Sequence, residues 1–229
     1  MLSFSNDETL ISIQVRLNVI SKLGTINEVI GVDLLSHSLL PAIVDLSEDS
    51  KWRVRVAIIE HIPMLAEKLG TTFFGEKLNS LCMTWLSDDV YAVRRAATEN
   101  LKKLVELFGD EWSRENIIPR IERMHEDNNY LKRMTALYCI QVISSCLSPD
   151  SLDKIFMSIV LKMTKDTVPN VRFNAAKTLE KMYAVLKGTE SSADIVEVLS
   201  TLQNDPDRDV RFFSSESLGK IQTGDKMNI

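Results

Sequence analysis

Apolar residues recur along this chain with the spacing of amphipathic helices. In the most regular segment they fall on one face of a helix with 3.6 residues per turn: Val93, Ala97, Leu101 and Leu104. Gly109 follows, at a point where a helix commonly ends. A second apolar helix is predicted before each such segment, at residues 39–46, 78–86, 117–124, 155–163 and 195–202. No strand-like alternation competes with this pattern, so the sequence predicts an all-helical fold.

The helical pattern repeats with a fixed period. Arginines stand 39 residues apart at Arg16, Arg55, Arg94, Arg133, Arg172 and Arg211. An aspartate lies six residues before all but the first of them, at Asp49, Asp88, Asp127, Asp166 and Asp205. The positions one before, three after and seven after each arginine are mostly small or apolar and share one helix face. A period near 40 residues with two helices is typical of the HEAT and armadillo class, and is too long for tetratricopeptide or ankyrin repeats.

We therefore predict an all-α fold, an α-solenoid of HEAT repeats in which each repeat is helix A, a turn and helix B. A single helix pair cannot bury its apolar face, so neighbouring repeats must stack around a shared core. The prediction is one repeat array over residues 1–229, beginning with an incomplete repeat at 1–31. Full repeats are expected at about 34–70, 74–109, 114–147, 151–187 and 192–223.

The recurring aspartates and arginines are interpreted as structural. A catalytic site is normally singular, whereas a residue present in every repeat describes the architecture, which disfavours the alternative of a ligand-binding array. We expect each aspartate to cap the start of helix B and to meet an arginine of its own or the adjacent repeat. This Asp–Arg ladder is predicted to contain Asp49, Asp88, Asp127, Asp166, Asp205, Arg55, Arg94, Arg172 and Arg211.

Charge and composition narrow the classes of partner. The net charge of −5 and the isoelectric point near 5.3 argue against a nucleic-acid partner. Three cysteines do not make a disulfide framework and fit a reducing compartment. No stretch has the roughly 20 apolar residues needed to cross a bilayer, and no basic segment of a secretory signal begins the chain. A cytoplasmic protein is expected, with the nucleus as a second location, and no membrane partner.

Catalytic and metal-binding patterns are not found in the sequence. His37, His61 and His125 stand far apart in the repeat frame, and neither an HExxH nor a CxxC spacing occurs. The glycines are scattered and form no phosphate-binding loop. We therefore predict that the chain is not an enzyme and binds no metal or cofactor.

A candidate binding edge lies three residues before the arginines. This position, predicted to fall in the turn between helices A and B, holds Trp52, Tyr91 and Tyr130 in three consecutive repeats. Equivalent turns of stacked helices lie roughly 8–10 Å apart, so the three aromatics would form a row, called here the aromatic row. Trp, Tyr and Arg dominate interface hot spots, and Lys51 and Arg53 flank Trp52. The alternative is that each ring folds back to cover a helix end.

Several segments resemble the scaffold (A) subunit of protein phosphatase 2A. They include KWRVR at 51–55, KLNSLCM at 77–83 and NVRFN at 170–174, and the resemblance extends from about Val15 to about Ser217. Such a scaffold is a horseshoe of HEAT repeats. The chain resembles its C-terminal repeats, which hold the serine/threonine phosphatase catalytic subunit through the turns between helices. Residues 1–12 depart from the family pattern.

The resemblance implies a non-catalytic scaffold or regulatory subunit. The family's contacts with the catalytic subunit match Trp52, Arg53, Tyr91, Tyr130, Arg133 and the turn around Val168, and the neighbouring Lys51 is added to this set. Pro169 in that turn removes a backbone donor. The family binds regulatory B subunits through N-terminal repeats that have no counterpart here, so little or no B-subunit binding is expected. The alternatives are an adaptor for another protein cargo, a truncated scaffold that sequesters the catalytic subunit, and a stub without function.

Overall fold

The computed structural model describes residues 32–226, together with Val15 and Asn18. The rest of the predicted incomplete repeat at 1–31 lies outside the described residues. The chain forms two compact units, residues 1–107 and 108–229. All regular secondary structure in the described part of the chain is helical, which confirms the predicted fold class.

From Val32 onward, the first unit contains three helices and most of a fourth. They are α1 (Val32–Ser47), α2 (Trp52–Lys77), α3 (Asn79–Trp85) and the N-terminal part of α4 (Tyr91–Asn116). Helix α2 is interrupted at Gly70, where φ is 81° and ψ is 168°. Residues 52–69 are therefore one helix B, and the following turns begin the next helix A. Helix α2 packs against α1 and α3.

The second unit begins beside Gly109, which interrupts α4 with φ 88° and ψ 176°. Its further α-helices are α5 (Ile118–Met124), α6 (Tyr130–Ile143), α7 (Pro149–Ser151), α8 (Ser158–Met163), α9 (Pro169–Leu186), α10 (Glu190–Leu202) and α11 (Arg208–Lys226). A 3-10 turn at Ser144–Cys146 follows α6, and a π-helical turn at Leu152–Met157 joins α7 to α8. Helix α9 packs against α6 on one side and α11 on the other.

The helix faces predicted from the period are the buried ones. Three residues after the ladder arginines, Ile58, Ala97, Ala136, Ala175 and Ser214 are between 0% and 2% exposed. Seven residues after, Ile62, Leu101, Ile140 and Leu179 are fully buried and Leu218 is 8% exposed. The predicted amphipathic pattern is confirmed in both units.

Glycine ends helix B in three of the repeats that the structure describes. Gly70, Gly109 and Gly188 have φ values of 81°, 88° and 88°, a region in which a Cβ atom is strained. Gly109 stands at the predicted stop, and Gly70 precedes it by the same 39 residues that separate the arginines. The chain can therefore reverse into the next repeat without breaking the period.

Candidate partner-binding surface

Each ladder aspartate builds the turn that leads into helix B. Its Oδ1 atom accepts a hydrogen bond from the backbone N–H two residues later, at 2.7–2.8 Å, in all five repeats: Lys51, Val90, Asn129, Val168 and Asp207. Helix B starts one residue after that donor. The prediction that the aspartate itself caps the helix is therefore wrong, because the aspartate lies three residues before the first helical residue and its carboxylate closes an Asx turn ahead of the helix.

The arginine of the same repeat donates hydrogen bonds to the backbone of this turn. Its Nη1 donates to the carbonyl oxygen of the ladder aspartate at 2.6–2.9 Å, in Arg55, Arg94, Arg133, Arg172 and Arg211. A second bond runs from the same nitrogen to the next carbonyl, at 2.9–3.4 Å. The turn is thus stabilised both by the aspartate carboxylate and by the arginine bonds to its backbone carbonyl oxygens.

The other edge of the guanidinium reaches the following repeat. Three arginines form a bidentate pair, called here a rung of the ladder, in which Nε and Nη2 donate to the two carboxylate oxygens of an aspartate 33 residues later. The distances are 2.7–3.0 Å, and the pairs are Arg55 with Asp88, Arg133 with Asp166, and Arg172 with Asp205. These bidentate pairs tie adjacent repeats together.

Arg133 belongs to the ladder, although the family resemblance implies that it contacts a partner. Its side chain is 14% exposed, and its Nε, Nη1 and Nη2 atoms all donate within the protein. Its position in the 39-residue arginine register is the sequence signal for this role. Arg133 therefore acts on a partner contact only indirectly, by holding the backbone of the turn that precedes Tyr130.

The bidentate ion pairs of the second unit lower the pKa values of Asp166 and Asp205. Burial alone raises the pKa of the Asp166 carboxyl, but hydrogen bonds from Arg133 and the Val168 N–H, with the arginine charges, hold this pKa below its ordinary value. For Asp205, the hydrogen bonds from Arg172 are the main cause of a lowered pKa. The charged form therefore contributes to the stability of the second unit.

The aromatic row lies at helix starts rather than in the turns. Trp52, Tyr91 and Tyr130 are the first residues of α2, α4 and α6. The Asx turn between helices A and B ends one residue before each of them, so helix B begins earlier than the sequence pattern indicates. Tyr91 is 66% exposed and Tyr130 is 40% exposed. These exposures contradict the alternative in which the tyrosine rings fold back over helix ends.

In the first unit the aromatic residues at the two helix starts lie beside arginines. The Cζ atom of Arg53 lies 4.4 Å from the centre of the Trp52 ring, and Trp52 itself is half-buried. The Cζ atom of Arg94 lies 5.9 Å from the centre of the Tyr91 ring. Lys51 and Arg53 are exposed. This surface therefore presents flat apolar area bordered by positive charge.

In the second unit, Tyr130, Arg133 and Val168 line one open hollow of about 1000 Å³. The turns that follow α5 and α8 form its sides, and an ion pair at 2.7 Å joins Lys162 to Glu126 across them. Pro169 is the first residue of α9, where its missing N–H removes no helical bond. The turn's donor is Val168 N–H, so Pro169 leaves this hollow intact.

The predicted partner-binding residues are thus divided between the units. Lys51, Trp52, Arg53 and Tyr91 lie in the first, and Tyr130, Arg133 and Val168 lie in the second. Within residues 32–226, no group of three or more His, Cys, Asp or Glu side chains is placed to hold a metal ion. Over the same residues, no helix combines the length and apolarity required to cross a membrane.

Comparison with known proteins agrees with the repeat frame. The HEAT repeat family model matches residues 78–108 and 156–186, which include the ladder residues Asp88, Arg94, Asp166 and Arg172. The regulatory A subunit of protein phosphatase PP2A from Saccharomyces cerevisiae is 43% identical over 120 residues, which is 49% of this chain and 19% of that protein. Over the matched residues the chain resembles HEAT repeats and is similar to the PP2A regulatory A subunit.

Two further relatives carry related names. The PP2A regulatory A subunit of Schizosaccharomyces pombe is 47% identical over 72 residues, which is 31% of this chain and 12% of that protein. The PP2A 65 kDa regulatory subunit of Drosophila melanogaster is 50% identical over 59 residues, which is 26% of this chain and 10% of that protein. The matched regions thus span between 10% and 19% of these PP2A subunits.

Solved structures agree with the helical-repeat fold of this chain. The crystal structure of Cex1p superposes with a TM-score of 0.61 and 17% identity, covering 92% of this chain and 42% of Cex1p. A chain in a structure of Kap95p binding to RanGDP gives 0.54 at 16% identity, covering 91% of this chain and 27% of that one. At such low identities the likeness concerns the fold alone.

Proposed function

We propose that this HEAT-repeat chain is a non-catalytic regulatory scaffold that binds the catalytic subunit of a PP2A-type serine/threonine phosphatase. The contacts are made by the helix-B starts at Lys51, Trp52, Arg53 and Tyr91 and by the hollow beside Tyr130. One observation carries the proposal: an aromatic residue begins helix B every 39 residues in three repeats, with the two tyrosines exposed, in a chain similar to the PP2A regulatory A subunit. A cytoplasmic location, and a nuclear one as an alternative, belong to the same proposal.

The local construction supports a preorganised binding surface. Asp49 and Asp88 close the turns immediately before Trp52 and Tyr91, and Arg55 pairs with Asp88 to join the two repeats. Little backbone freedom is therefore lost when a partner covers the rings, which favours affinity. Each tyrosine or tryptophan also supplies a large contact area with few rotatable bonds.

The test is the affinity of the purified chain for a PP2A catalytic subunit. Trp52→Ala and Tyr91→Ala should each lower the affinity by about 2 kcal/mol, roughly thirtyfold, which is typical of a central aromatic anchor. Leu107→Ala is the matched control, because Leu107 is also apolar and 40% exposed but lies outside the helix starts. Far-ultraviolet circular dichroism establishes that all variants keep their helicity.

The opposite result is equally informative. A folded chain that does not bind the catalytic subunit, or that binds it equally well after both aromatic substitutions, would refute the proposal. Recovery of a different protein by the folded chain, with the same dependence on Trp52 and Tyr91, would instead favour the adaptor alternative.

A further inference from the structure

A hydrogen-bond network around Asp110 anchors the segment that connects α6 to α8. Asp110 Oδ2 accepts hydrogen bonds from Ser148 Oγ at 2.8 Å and from Ser151 Oγ at 2.6 Å. The Ser148 N–H nitrogen lies 3.5 Å from the same oxygen, and the two hydroxyl oxygens are 2.7 Å apart. Arg114 Nε donates to Ser151 Oγ at 3.1 Å, and its Nη2 lies 3.6 Å from the Asp110 carboxylate. One carboxylate oxygen therefore ties this segment to the residue that follows Gly109.

The Asp110 carboxylate depends on the Ser148 hydroxyl as a donor. Its other oxygen, Oδ1, is buried and has no hydrogen-bond partner among the described residues. Burial alone raises the pKa of the carboxyl, but hydrogen bonds from Ser151 and Ser148, with the charge of Arg114, hold this pKa below its ordinary value. The carboxylate is therefore ionised at neutral pH. A negative charge on Ser148 Oγ would replace a donated hydrogen bond by repulsion between two anions.

Ser148 also has the sequence and the backbone of a kinase substrate. It precedes Pro149, and a Ser-Pro dipeptide is the element that proline-directed serine/threonine kinases recognise. No other serine or threonine of the chain precedes a proline. Leu147 and Ser148 have extended backbones, with φ and ψ of −100° and 153° and of −66° and 150°, and Pro149 and Asp150 are exposed. Ser148 itself is half-buried, so only a local opening of the Asp110 contact is needed to present it.

We infer that Ser148 is a phosphorylation site for proline-directed kinases, and that its phosphorylation releases the connection between α6 and α8 from Asp110. ATP is the co-substrate: Ser148 Oγ attacks the γ-phosphorus, the Oγ–P bond forms as the bond to the β,γ-bridging oxygen breaks, and ADP leaves. The hydroxyl proton passes to the catalytic base of the kinase. The phosphate carries a charge of about −1.5 to −2 at pH 7, so it repels Asp110 and draws Arg114 away from Ser151.

The first test is labelling of the folded full chain by a proline-directed kinase with ATP, followed by mass spectrometry of proteolytic fragments. Ser148 should take up one phosphoryl group, whereas the exposed Ser145, which precedes Cys146, should take up none. Pro149→Ala is the matched control, because it keeps the hydroxyl but removes the recognition element, and it should abolish labelling. A peptide of residues 142–155 is labelled in parallel.

Three results of this test would overturn the site. Labelling of the peptide alone would show that the fold protects Ser148. Labelling of neither peptide nor chain would show that the kinase does not read the dipeptide. Equal labelling of the Pro149→Ala variant would show that the proline does not direct the reaction.

The second test is the melting temperature, which reports the release. The phosphorylated chain and the Ser148→Glu variant should each melt about 5 °C lower, because repulsion replaces a hydrogen bond to a charged group. Ser148→Ala removes the bond without adding charge and should lower the melting temperature less. In an Asp110→Asn background the difference between these two variants should nearly vanish. An unchanged melting temperature after phosphorylation, or an equal difference in both backgrounds, would refute the release. Neither test involves the proposed phosphatase partner, so this inference and the proposed function can fail separately.

Discussion

Removing a ladder carboxylate should destabilise the second unit far more when the carboxylate is buried in a bidentate pair than when it is partly exposed. Asp166 is such a case, because its side chain is 10% exposed and accepts from Arg133 Nε at 2.7 Å, from Arg133 Nη2 at 2.9 Å and from Val168 N–H at 2.8 Å. Asp166→Ala leaves the Arg133 guanidinium, 14% exposed, without its counter-charge. The expected loss is about 3 kcal/mol of unfolding free energy, near the lower end for a broken buried pair.

Asp127 provides the matched control, since it occupies the same position one repeat earlier. Its side chain is 30% exposed, accepts from Asn129 N–H at 2.8 Å and pairs with Lys132 at 3.1 Å. Asp127→Ala should lower the unfolding free energy much less, because an exposed ion pair contributes little. Neither substitution removes the carbonyl oxygen that the ladder arginine contacts.

The assay is urea unfolding followed by circular dichroism, completed by a double-mutant cycle with Arg133→Ala. The cycle isolates the pair from the carbonyl bonds that Arg133 also makes, and a coupling of about 2 kcal/mol is expected. A coupling below about 0.5 kcal/mol, or equal losses for Asp127→Ala and Asp166→Ala, would refute the structural role assigned to the buried rung.

Three further predictions concern acid, glycine and thiols. The lowered pKa of Asp166 means that its contribution is complete above roughly pH 4 and is lost as the pH falls through the folded-state pKa, so the deficit of Asp166→Ala should shrink in acid unfolding. Gly109→Ala should destabilise by about 1 kcal/mol because φ is 88°, although a Cβ there meets nothing within 4 Å. Gly75→Ala, inside a helical turn with equal space, should stabilise by up to about 1 kcal/mol in the same thermal unfolding measurement. A chromogenic disulfide reagent should modify the half-buried Cys146 of the native chain but leave Cys82 unreacted, since burial raises the pKa of the Cys82 thiol and excludes the reagent.

The local architecture could be predicted from residue spacing because helical burial has a fixed period. The apolar faces around Ala97 and Ile140, the break at Gly109 and the placement of one aspartate and one arginine per repeat all follow from positions in the sequence. The family resemblance added candidate contacts, and the aromatic row agreed with them. The extent of the array and the partner contacts stay predictions.

Tertiary structure alone decided which groups meet. Spacing could not tell whether Arg133 serves Asp127 or Asp166, because that choice depends on how adjacent repeats stack; the fold uses one edge of the guanidinium for the Asp127 carbonyl and the other for the Asp166 carboxylate. Nor could it show that the Asx turn makes Tyr91 the first residue of a helix and leaves it 66% exposed. A periodic sequence determines which face each helix buries, whereas side-chain pairing and exposure arise only when neighbouring repeats are brought into contact.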